Sequence, residues 1–244
     1  MAEFGLIGKD IAYSFSKDYF QKKFEDAQLP HTYKNYDLPD LASFPEILKN
    51  PNLRGLNVTI PYKETVMPYL DKVDEIAMKI GAVNTIKIDS NGHTKGYNTD
   101  YFGFIEALKP FLPLFNKNAL ILGTGGASKA IVFALHQLGF KTAYVSRKKS
   151  TNSFQYDALN QEIIQSHALI VNCTPVGTYP NIHEAPALSY EFLLPDHLLF
   201  DLIYNPEQTA FLQKGTEYNT FVSNGLNMLR FQADKAWKIW KEEL

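Results

Sequence analysis

The stretch NALILGTGGASKAIVFALHQLGFKTAYVSR, residues 118–147, decides the fold. Residues 118–122 are a short, mostly apolar run that predicts a buried strand, and residues 123–126 form a glycine-rich turn. Small and apolar side chains then recur at helical spacing over residues 127–138, and residues 142–145 predict a second strand. A strand, a glycine turn, a helix and a second strand in this order open a dinucleotide-binding α/β fold.

The glycine turn has the composition of a pyrophosphate-binding loop. Apart from Thr124, the residues of this turn and the alanine that follows it carry little or no side chain, so the backbone can approach a pyrophosphate at the exposed N–H groups and positive dipole end of the following helix. These residues are Gly123, Gly125, Gly126 and Ala127. No Gly-Lys-Ser/Thr closes the turn, which excludes the phosphate loop of nucleotide hydrolases. For this stretch alone, a glycine-rich turn without a ligand remains the alternative.

Directly after the second predicted strand the chain is basic, with Ser146 followed by Arg147, Lys148 and Lys149. An NAD site usually has an acidic residue here, which binds the ribose 2′-hydroxyl and would repel a 2′-phosphate. A guanidinium attracts that phosphate and can hold it through two parallel hydrogen bonds. The segment therefore predicts NADP rather than NAD, against the alternative of a solvated basic turn.

The bulk composition limits the partners. The chain has 244 residues, 45% of them hydrophobic, and a formal net charge of -2, so it can build two cores and has no general attraction for nucleic acid or an anionic membrane. No apolar run approaches the ~18 residues of a membrane span, and no basic and apolar leader opens the sequence. Cys173 is the single cysteine and is expected to be a small buried residue. We expect a cytoplasmic protein without a disulfide.

The residues before the glycine turn alternate short apolar runs with amphipathic segments. Residues 4–7 and 53–59 predict strands, and the segment after Ser16 predicts a helix with one buried face. Pro61 suits the first turn of a further helix, because the N–H that proline lacks is not needed there. Asn91-Gly92 predicts a hairpin turn between strands at 85–89 and 94–98.

The rest of the chain is interpreted from the same kinds of pattern. A helix is predicted near Tyr101, and we interpret the segment with Pro110 and Pro113 as a linker. Further strands are predicted at residues 168–172, 198–202 and 220–223, and the last twenty residues, from Gly225 onward, have helical spacing.

Polar side chains gather at the ends of the early strands, where α/β folds bind ligands. They are Ser14, Ser16, Asn57, Thr59, Lys63, Asn84, Asn98, Thr99 and Asp100. Each has an ordinary explanation on its own: Ser16 as a helix N-cap, for example, and Lys63 as a surface lysine.

Together these segments resemble the shikimate dehydrogenase family along nearly the whole chain. The matching motifs, in order, are SFS at 14–16, NVTIPYK at 57–63, GAVNT at 81–85, GYNTD at 96–100, GTGGASKA at 123–130, SR at 146–147, NCTPVG at 172–177, DLIYNP at 201–206 and GLNMLRFQA at 225–233. Nine motifs in one order make the resemblance specific.

The resemblance implies an α/β fold of two domains. Residues 1–101 form an N-terminal α/β substrate domain, to which a C-terminal helix at 225–244 returns, and residues 102–224 form a Rossmann-like NADP-binding domain. It implies reversible, NADPH-dependent reduction of 3-dehydroshikimate to shikimate, a step of chorismate and aromatic amino acid biosynthesis. The implied partner is this small molecule, with neither nucleic acid nor membrane, and the protein is expected to be a monomer or homodimer.

The resemblance also assigns roles to residues. Lys63 and Asp100 are implied as the catalytic pair. Contacts to the substrate carboxylate are implied for Ser14, Ser16 and Tyr204. Contacts to its hydroxyls are implied for Asn57, Thr59, Asn84, Asp100 and Gln232. Cofactor contacts are implied for Gly123, Gly125, Gly126, Ala127, Ser146, Arg147, Lys148, Thr174, Leu202, Gly225 and Met228.

The implied pair makes chemical sense. Hydride arriving at a carbonyl carbon moves negative charge onto the oxygen, which the Lys63 ammonium can stabilise and protonate. Asp100 can fix the ammonium and pair with a substrate hydroxyl. No metal is needed, because hydride transfer is the chemistry of the cofactor.

The chain departs from the family pattern at three places. Asp10 stands where members usually have proline, and Lys17-Asp18-Tyr19 replaces the usual end of the serine loop, so the conformation of this loop is open. Ser146-Arg147-Lys148 replaces Asn-Arg-Thr. Residues 148–171 are few for the usual helix after the second strand, which we expect to be missing or reduced to a turn.

Two other functions stay open at this point. A quinate/shikimate dehydrogenase that uses NAD would share most of the motifs, although the basic segment at 147–149 argues against it. A non-catalytic NADP-sensing module would keep the fold without turnover, although such a module has no need of Lys63 and Asp100.

Overall fold

The computed structural model describes residues 1–242 except Tyr13, Phe115, Lys149 and Asn152. The chain forms two compact units. The N-terminal unit comprises Met1–Thr99 and Ala233–Leu244, and the central unit comprises Asp100–Gln232. The assignment of a substrate domain to residues 1–101 with 225–244, and of an NADP domain to 102–224, stays a prediction.

Strands and helices alternate along the described residues. In chain order they are β1 (Glu3–Gly8), α1 (Phe15–Asp26), β2 (Thr32–Asp37), α2 (Phe44–Leu48), β3 (Leu53–Val58), β4 (Lys72–Val73), α3 (Glu75–Ile80), β5 (Thr85–Ile88), β6 (Thr94–Tyr97), α4 (Asp100–Leu108), β7 (Asn118–Leu122), α5 (Gly126–Gln137), β8 (Lys141–Val145), β9 (Ser153–Phe154), α6 (Gln161–Gln165), β10 (Leu169–Asn172), β11 (Leu198–Asp201), α7 (Ala210–Glu217), β12 (Phe221–Ser223) and α8 (Leu226–Lys241).

The N-terminal unit has a mixed sheet with the strand order β2-β1-β3-β5-β6-β4. β1 pairs in parallel with β2 and β3, whereas β5 runs antiparallel to both β3 and β6. The ends of β1, β3 and β6 and the start of β5 therefore lie at one edge of the sheet. This edge carries the predicted polar residues.

An aromatic cluster fastens α1 and the end of α8 to this sheet. Phe4 of β1 stacks on Trp240 with ring centroids 5.0 Å apart, and Phe20 of α1 lies 5.2 Å from the same indole. All three side chains are almost completely buried. Each buried aromatic ring removes a large apolar area from water, so this cluster holds the C-terminal helix against the N-terminal unit.

The central unit has a six-stranded sheet, β12-β11-β10-β7-β8-β9, in which every strand pair is parallel. Side chains on β7 alternate between two apolar clusters: Ala119 and Ile121 pack with residues of α4 and α5, and Leu120 and Leu122 pack with residues of α6 and α7. Helices thus cover both faces, as a buried parallel sheet requires. This is the α/β architecture that the sequence predicts.

Two interpretations of the local sequence in the N-terminal unit are wrong. The N-cap of α1 is Ser14 and not Ser16, because the Ser14 hydroxyl oxygen accepts the Ser16 N–H at 3.1 Å. Pro61 does not begin an α-helix: it follows a cis peptide bond in a turn in which the Tyr62 N–H bonds to the Thr59 carbonyl at 2.9 Å. Turns and a short 3-10 helix, Met67–Tyr69, occupy this segment instead.

The segment with Pro110 and Pro113 is a 3-10 helix, Lys109–Leu114, which lies inside the central unit. The interpretation as a linker between the two units is therefore wrong. We expected the usual helix after β8 to be missing or reduced to a turn, and this is confirmed: the described residues between β8 and β9 form no helix, and β9 pairs directly with β8. The next α-helix is the five-residue α6, which precedes β10.

No helix among the described residues has the length and apolarity that crossing a membrane requires. Within the same residues there is no group of three or more His, Cys, Asp or Glu side chains that could hold a metal ion.

Candidate active site

The serine loop follows β1 and is held by side chains of β2. The Asp37 carboxylate accepts the N–H groups of Asp10 and Ile11 at 2.9 and 3.3 Å, and the Asn35 amide donates to the Ile11 carbonyl at 3.1 Å. Asp10 has a φ of 57°, which a proline cannot adopt, and a proline has no N–H to donate. Where the family usually has proline, Asp10 therefore supplies a backbone N–H and a φ that proline cannot, and Asp37 holds the loop through that N–H.

Ser14 and Ser16 lie at the start of α1, both half-buried. The hydroxyl of Tyr33 in β2 donates to the Asn57 side-chain oxygen at 2.7 Å. Burial raises the pKa of Tyr33 well above its ordinary value, and a hydrogen bond with Ser16 opposes this shift. Tyr33 therefore stays a neutral hydroxyl that connects the predicted residues Ser16 and Asn57, a role that the sequence did not reveal.

A buried network of amides and hydroxyls follows at the ends of β3 and β6. The Asn57 amide donates to the Asn84 carbonyl and the Thr85 hydroxyl, both at 3.4 Å. The Asn84 side chain donates to the Thr99 hydroxyl at 2.9 Å and accepts the Thr99 N–H at 2.7 Å. The structure thus brings the predicted Asn57 and Asn84 together, and it fixes their amide orientations.

Thr59 and Lys63 flank the turn after β3, and both side chains are half-buried. The Lys63 carbonyl accepts the N–H of Val83, one residue before Asn84, at 2.7 Å. The lysine is therefore held by its backbone beside the buried amide network of the same unit. An ammonium in this position can interact with a polar ligand at this edge of the sheet.

Asp100 is the first residue of α4, directly after Thr99, and is 6% exposed. Gln232 of α8 is also buried, and its amide donates to the Leu229 carbonyl at 3.0 Å. A Cβ on Gly103 would lie 2.5 Å from the Met228 carbonyl oxygen, so the missing side chain lets α4 approach α8. This packing sets Asp100, Met228 and Gln232 on two closely packed helices.

The glycine turn precedes α5 as predicted. Gly123 has a φ of 98°, and a Cβ there would lie 2.9 Å from the Thr174 methyl group. Gly125 is the N-cap of α5, and a Cβ on it would meet no atom within 4 Å. Gly126 and Ala127 begin the helix, so their N–H groups lie at its positive end. This arrangement fits a pyrophosphate.

The basic segment begins where β8 ends. The Ser146 hydroxyl oxygen accepts the Lys148 N–H at 3.1 Å, and the Ser146 N–H bonds to the Phe154 carbonyl at 2.9 Å. These bonds hold a tight turn with Arg147 and Lys148 exposed, where a guanidinium can meet a phosphate. Lys149 lies outside the described residues.

The remaining predicted cofactor residues lie in loops at the same edge of the central sheet. Thr174 follows β10, Leu202 follows β11, and Gly225 follows β12. A Cβ on Gly225 would lie 2.1 Å from the Leu202 carbonyl oxygen, so only glycine allows this approach. Tyr204 lies two residues beyond Leu202 and is half-buried. Because all strands are parallel, these loops lie beside the glycine turn, where such sheets bind ligands.

Cys173 is not part of the candidate chemistry. Burial raises the pKa of its thiol, with a smaller contribution from the charge of Asp201. A thiol with a raised pKa supplies little thiolate and is a poor nucleophile.

Known proteins resemble the whole chain. The family model for the shikimate dehydrogenase substrate binding domain matches residues 6–86. The NADP(+) shikimate dehydrogenase of Clostridium beijerinckii is 38% identical over 252 residues, which cover 99% of this chain and 93% of that protein.

Two solved structures resemble this chain along nearly its whole length. Shikimate dehydrogenase from Aquifex aeolicus has a TM-score of 0.88 and 34% identity, covering 100% of this chain and 94% of that chain. Shikimate 5-dehydrogenase from Thermus thermophilus, in complex with NADP(H) and shikimate, has a TM-score of 0.88 and 33% identity, covering 99% of this chain and 94% of that chain. The chain therefore belongs to the shikimate dehydrogenase family.

Proposed function

We propose that the protein is an NADP-linked oxidoreductase that interconverts shikimate and 3-dehydroshikimate. The observation that carries this function is the match, 38% identical over 99% of the chain, to a curated NADP(+) shikimate dehydrogenase. The basic turn at Arg147 supports NADP independently, because it has no carboxylate where an NAD site needs one.

We assign shikimate to the edge of the N-terminal sheet and NADP to the edge of the central sheet. The buried amides of Asn57 and Asn84 offer oriented donors and acceptors for hydroxyl groups, and Ser14 and Ser16 offer hydroxyls for a carboxylate. Thr59, Tyr204 and Gln232 are proposed as further substrate contacts. Ala127 and the glycines beside it bind the pyrophosphate, and Arg147 binds the 2′-phosphate.

When bound, the cofactor supplies or removes the hydride at the reacting carbon. Lys63 transfers the proton. Its ammonium protonates the substrate oxygen that becomes negative in reduction, and its amine accepts the proton of the hydroxyl in oxidation. Asp100 accepts a hydrogen bond from a substrate hydroxyl and so orients the reacting carbon. Protein groups that stabilise the developing charge act mainly in the transition state.

The test is the identity of the product. Purified protein incubated with shikimate and NADP+ should form a ketone two hydrogens lighter than shikimate, with NADPH in equal amount. Binding of NADP+ without turnover would instead indicate the non-catalytic sensing module. Turnover of quinate with NAD+ in preference to shikimate with NADP+ would indicate the alternative dehydrogenase.

We also propose that the enzyme works in the cytoplasm as a monomer or homodimer. A single cysteine suits a reducing compartment. Sedimentation equilibrium decides the oligomeric state, and fractionation of the source cells decides the compartment.

A further inference from the structure

Two buried polar residues, Asn172 and Asp201, end neighbouring strands of the central sheet. They are partners in the register of β10 and β11, and both are 0% exposed. The Asn172 side-chain Nδ2 donates to Asp201 Oδ1 at 3.0 Å. Neither residue is among the predicted ligand contacts, so their burial has another purpose.

Asn172 organises the loop that follows β10. Its Oδ1 accepts the N–H of Thr174 at 3.0 Å and the Thr174 hydroxyl at 2.7 Å, and its Nδ2 also donates to the Val176 carbonyl at 3.3 Å. The Thr174 hydroxyl oxygen in turn accepts the Val176 N–H at 3.2 Å. One side chain thus fixes the position of Thr174, whose methyl group lies against the glycine turn.

Asp201 organises the loop that follows β11. Its Oδ1 also accepts the Ile203 N–H at 3.0 Å, and its Oδ2 accepts the Thr209 hydroxyl at 2.7 Å. Thr209 is the N-cap of α7. The carboxylate therefore holds both ends of the loop that carries Leu202 and Tyr204.

The groups that donate hydrogen bonds to the Asp201 carboxylate are uncharged. Burial raises the pKa of Asp201 to about 6, and the hydrogen bonds from Thr209, Ile203 and Asn172 only partly oppose this shift. A buried ionised group of this kind costs stability, and apolar residues of similar volume often give a more stable protein. Residues that lower the stability of the fold are typical of positions that hold functional groups in place.

We propose that Asn172 and Asp201 are a pair of positioning residues that couples the Thr174 loop to the Tyr204 loop. The effect on catalysis rests on the proposed function: Thr174 serves the cofactor and Tyr204 serves the substrate. Neither Asn172 nor Asp201 is a predicted ligand contact, and their shared hydrogen bond sets the relative position of two loops that carry such contacts.

The experiment exchanges the two groups in the full chain. Asn172→Asp places a second carboxylate against Asp201, where two negative charges cannot lie at hydrogen-bonding distance without a shared proton. The double variant Asn172→Asp with Asp201→Asn restores one amide and one carboxylate, so the bond can re-form in the opposite direction. Asn118→Asp, at the opposite end of the same sheet, is the matched control.

The kinetic expectation is a rise in KM with little change in kcat. Asn172→Asp should raise KM for both NADP+ and shikimate by about tenfold, the equivalent of one lost charge-assisted hydrogen bond. The double variant should recover most of this loss, and the control should match the wild type. A purely structural role would lower the unfolding temperature without this rescue of both KM values.

Amide hydrogen exchange tests the pair without reference to activity. In Asn172→Asp the amides of Thr174, Val176 and Ile203 should all exchange at least about tenfold faster. The double variant should slow those of Thr174 and Val176 again, whereas the Ile203 N–H stays without its acceptor, because Asp201 Oδ1 accepts both Asn172 and Ile203 and an amide nitrogen in its place can only donate. An Ile203 amide that exchanges at the wild-type rate in Asn172→Asp would overturn the coupling. If this variant does not fold, Asp201→Ala serves: faster exchange at Thr174 and Val176 supports the pair, and unchanged exchange overturns it. Failure of the wild type to oxidise shikimate would overturn the proposed function alone, because the exchange result stands by itself.

Discussion

The indole Nε1 of Trp240 donates a hydrogen bond to the backbone carbonyl oxygen of Ile86 at 2.9 Å. Trp240 lies near the end of α8, and Ile86 lies in β5 of the N-terminal sheet. Beside this bond, a Cβ on Gly55 of β3 would lie 2.3 Å from the same indole nitrogen. The C-terminal helix is therefore docked at a strand position where the chain has no side chain.

Gly55→Ala should destabilise the protein by about 2 to 4 kcal/mol, because the added methyl displaces the indole and breaks its buried hydrogen bond. Urea unfolding followed by circular dichroism measures the change. Trp240→Phe is the partner variant, since it removes the N–H and keeps much of the ring. The two effects should be non-additive in the double variant; full additivity would show that Gly55 acts on something other than Trp240.

Asp37→Ala should raise KM for shikimate about threefold to tenfold with little effect on kcat or on KM for NADP+, because it releases the backbone of the loop that carries Ser14. Asp10→Pro should have the same effect, since proline lacks the N–H and cannot adopt the observed φ. Initial rates over a range of shikimate concentrations measure both. Asp26→Ala, at an exposed carboxylate of α1, is the control. Unchanged KM values would remove Asp37 from the support of the loop.

Lys63→Ala should lower kcat by roughly a hundredfold to ten-thousandfold, the usual cost of losing a general acid, while KM for shikimate changes much less. Lys49→Ala, at an exposed lysine of the same unit, should keep the wild-type rate. A kcat near normal in Lys63→Ala would exclude this residue from the proton transfer.

Much of this fold could be predicted because its patterns are local. The run at 118–122 and the helix over 127–138 agree with β7 and α5 within one residue. The α/β fold class, the shikimate dehydrogenase function and NADP as cofactor, all implied by the motifs, are confirmed by the family relatives. The residue roles stay predictions, as do the domain boundaries.

The elements that the sequence did not reveal depend on distant residues. β2, with Tyr33, Asn35 and Asp37, is polar along its length, because its side chains bind the serine loop and Asn57. The two-residue β9 exists through its pairing with β8, which no local pattern encodes. Pro61 suits a helix start by local preference, whereas its turn is closed by the bond from Tyr62 to Thr59.

Asp201 should make the protein less stable as the pH rises. Its folded pKa of about 6 exceeds the ordinary value of 3.8, so its stabilising contribution is complete below the ordinary pKa and is lost as pH rises through about 6. Asp201→Asn lacks this titration. Relative to the variant, the wild type should lose about 2 kcal/mol of unfolding free energy between about pH 4.5 and about pH 7.5.

Urea unfolding of both proteins at the two pH values measures this difference, and Asp157→Asn, at an exposed carboxylate, is the control. A stability difference between wild type and Asp201→Asn that does not depend on pH would show that the Asp201 carboxyl titrates normally.

NADP-linked oxidation of shikimate is tested by the specificity constant, kcat/KM, for NADP+ and for NAD+ with saturating shikimate, measured for the wild type and for Arg147→Ala. We expect the wild type to turn over efficiently with NADP+ in preference to NAD+. Arg147→Ala should lose about tenfold to a hundredfold with NADP+ and almost nothing with NAD+, because NAD+ lacks the phosphate that the guanidinium binds. Equal constants for the two cofactors in the wild type would contradict the preference for NADP+, and no oxidation of shikimate with either cofactor would contradict the proposed activity.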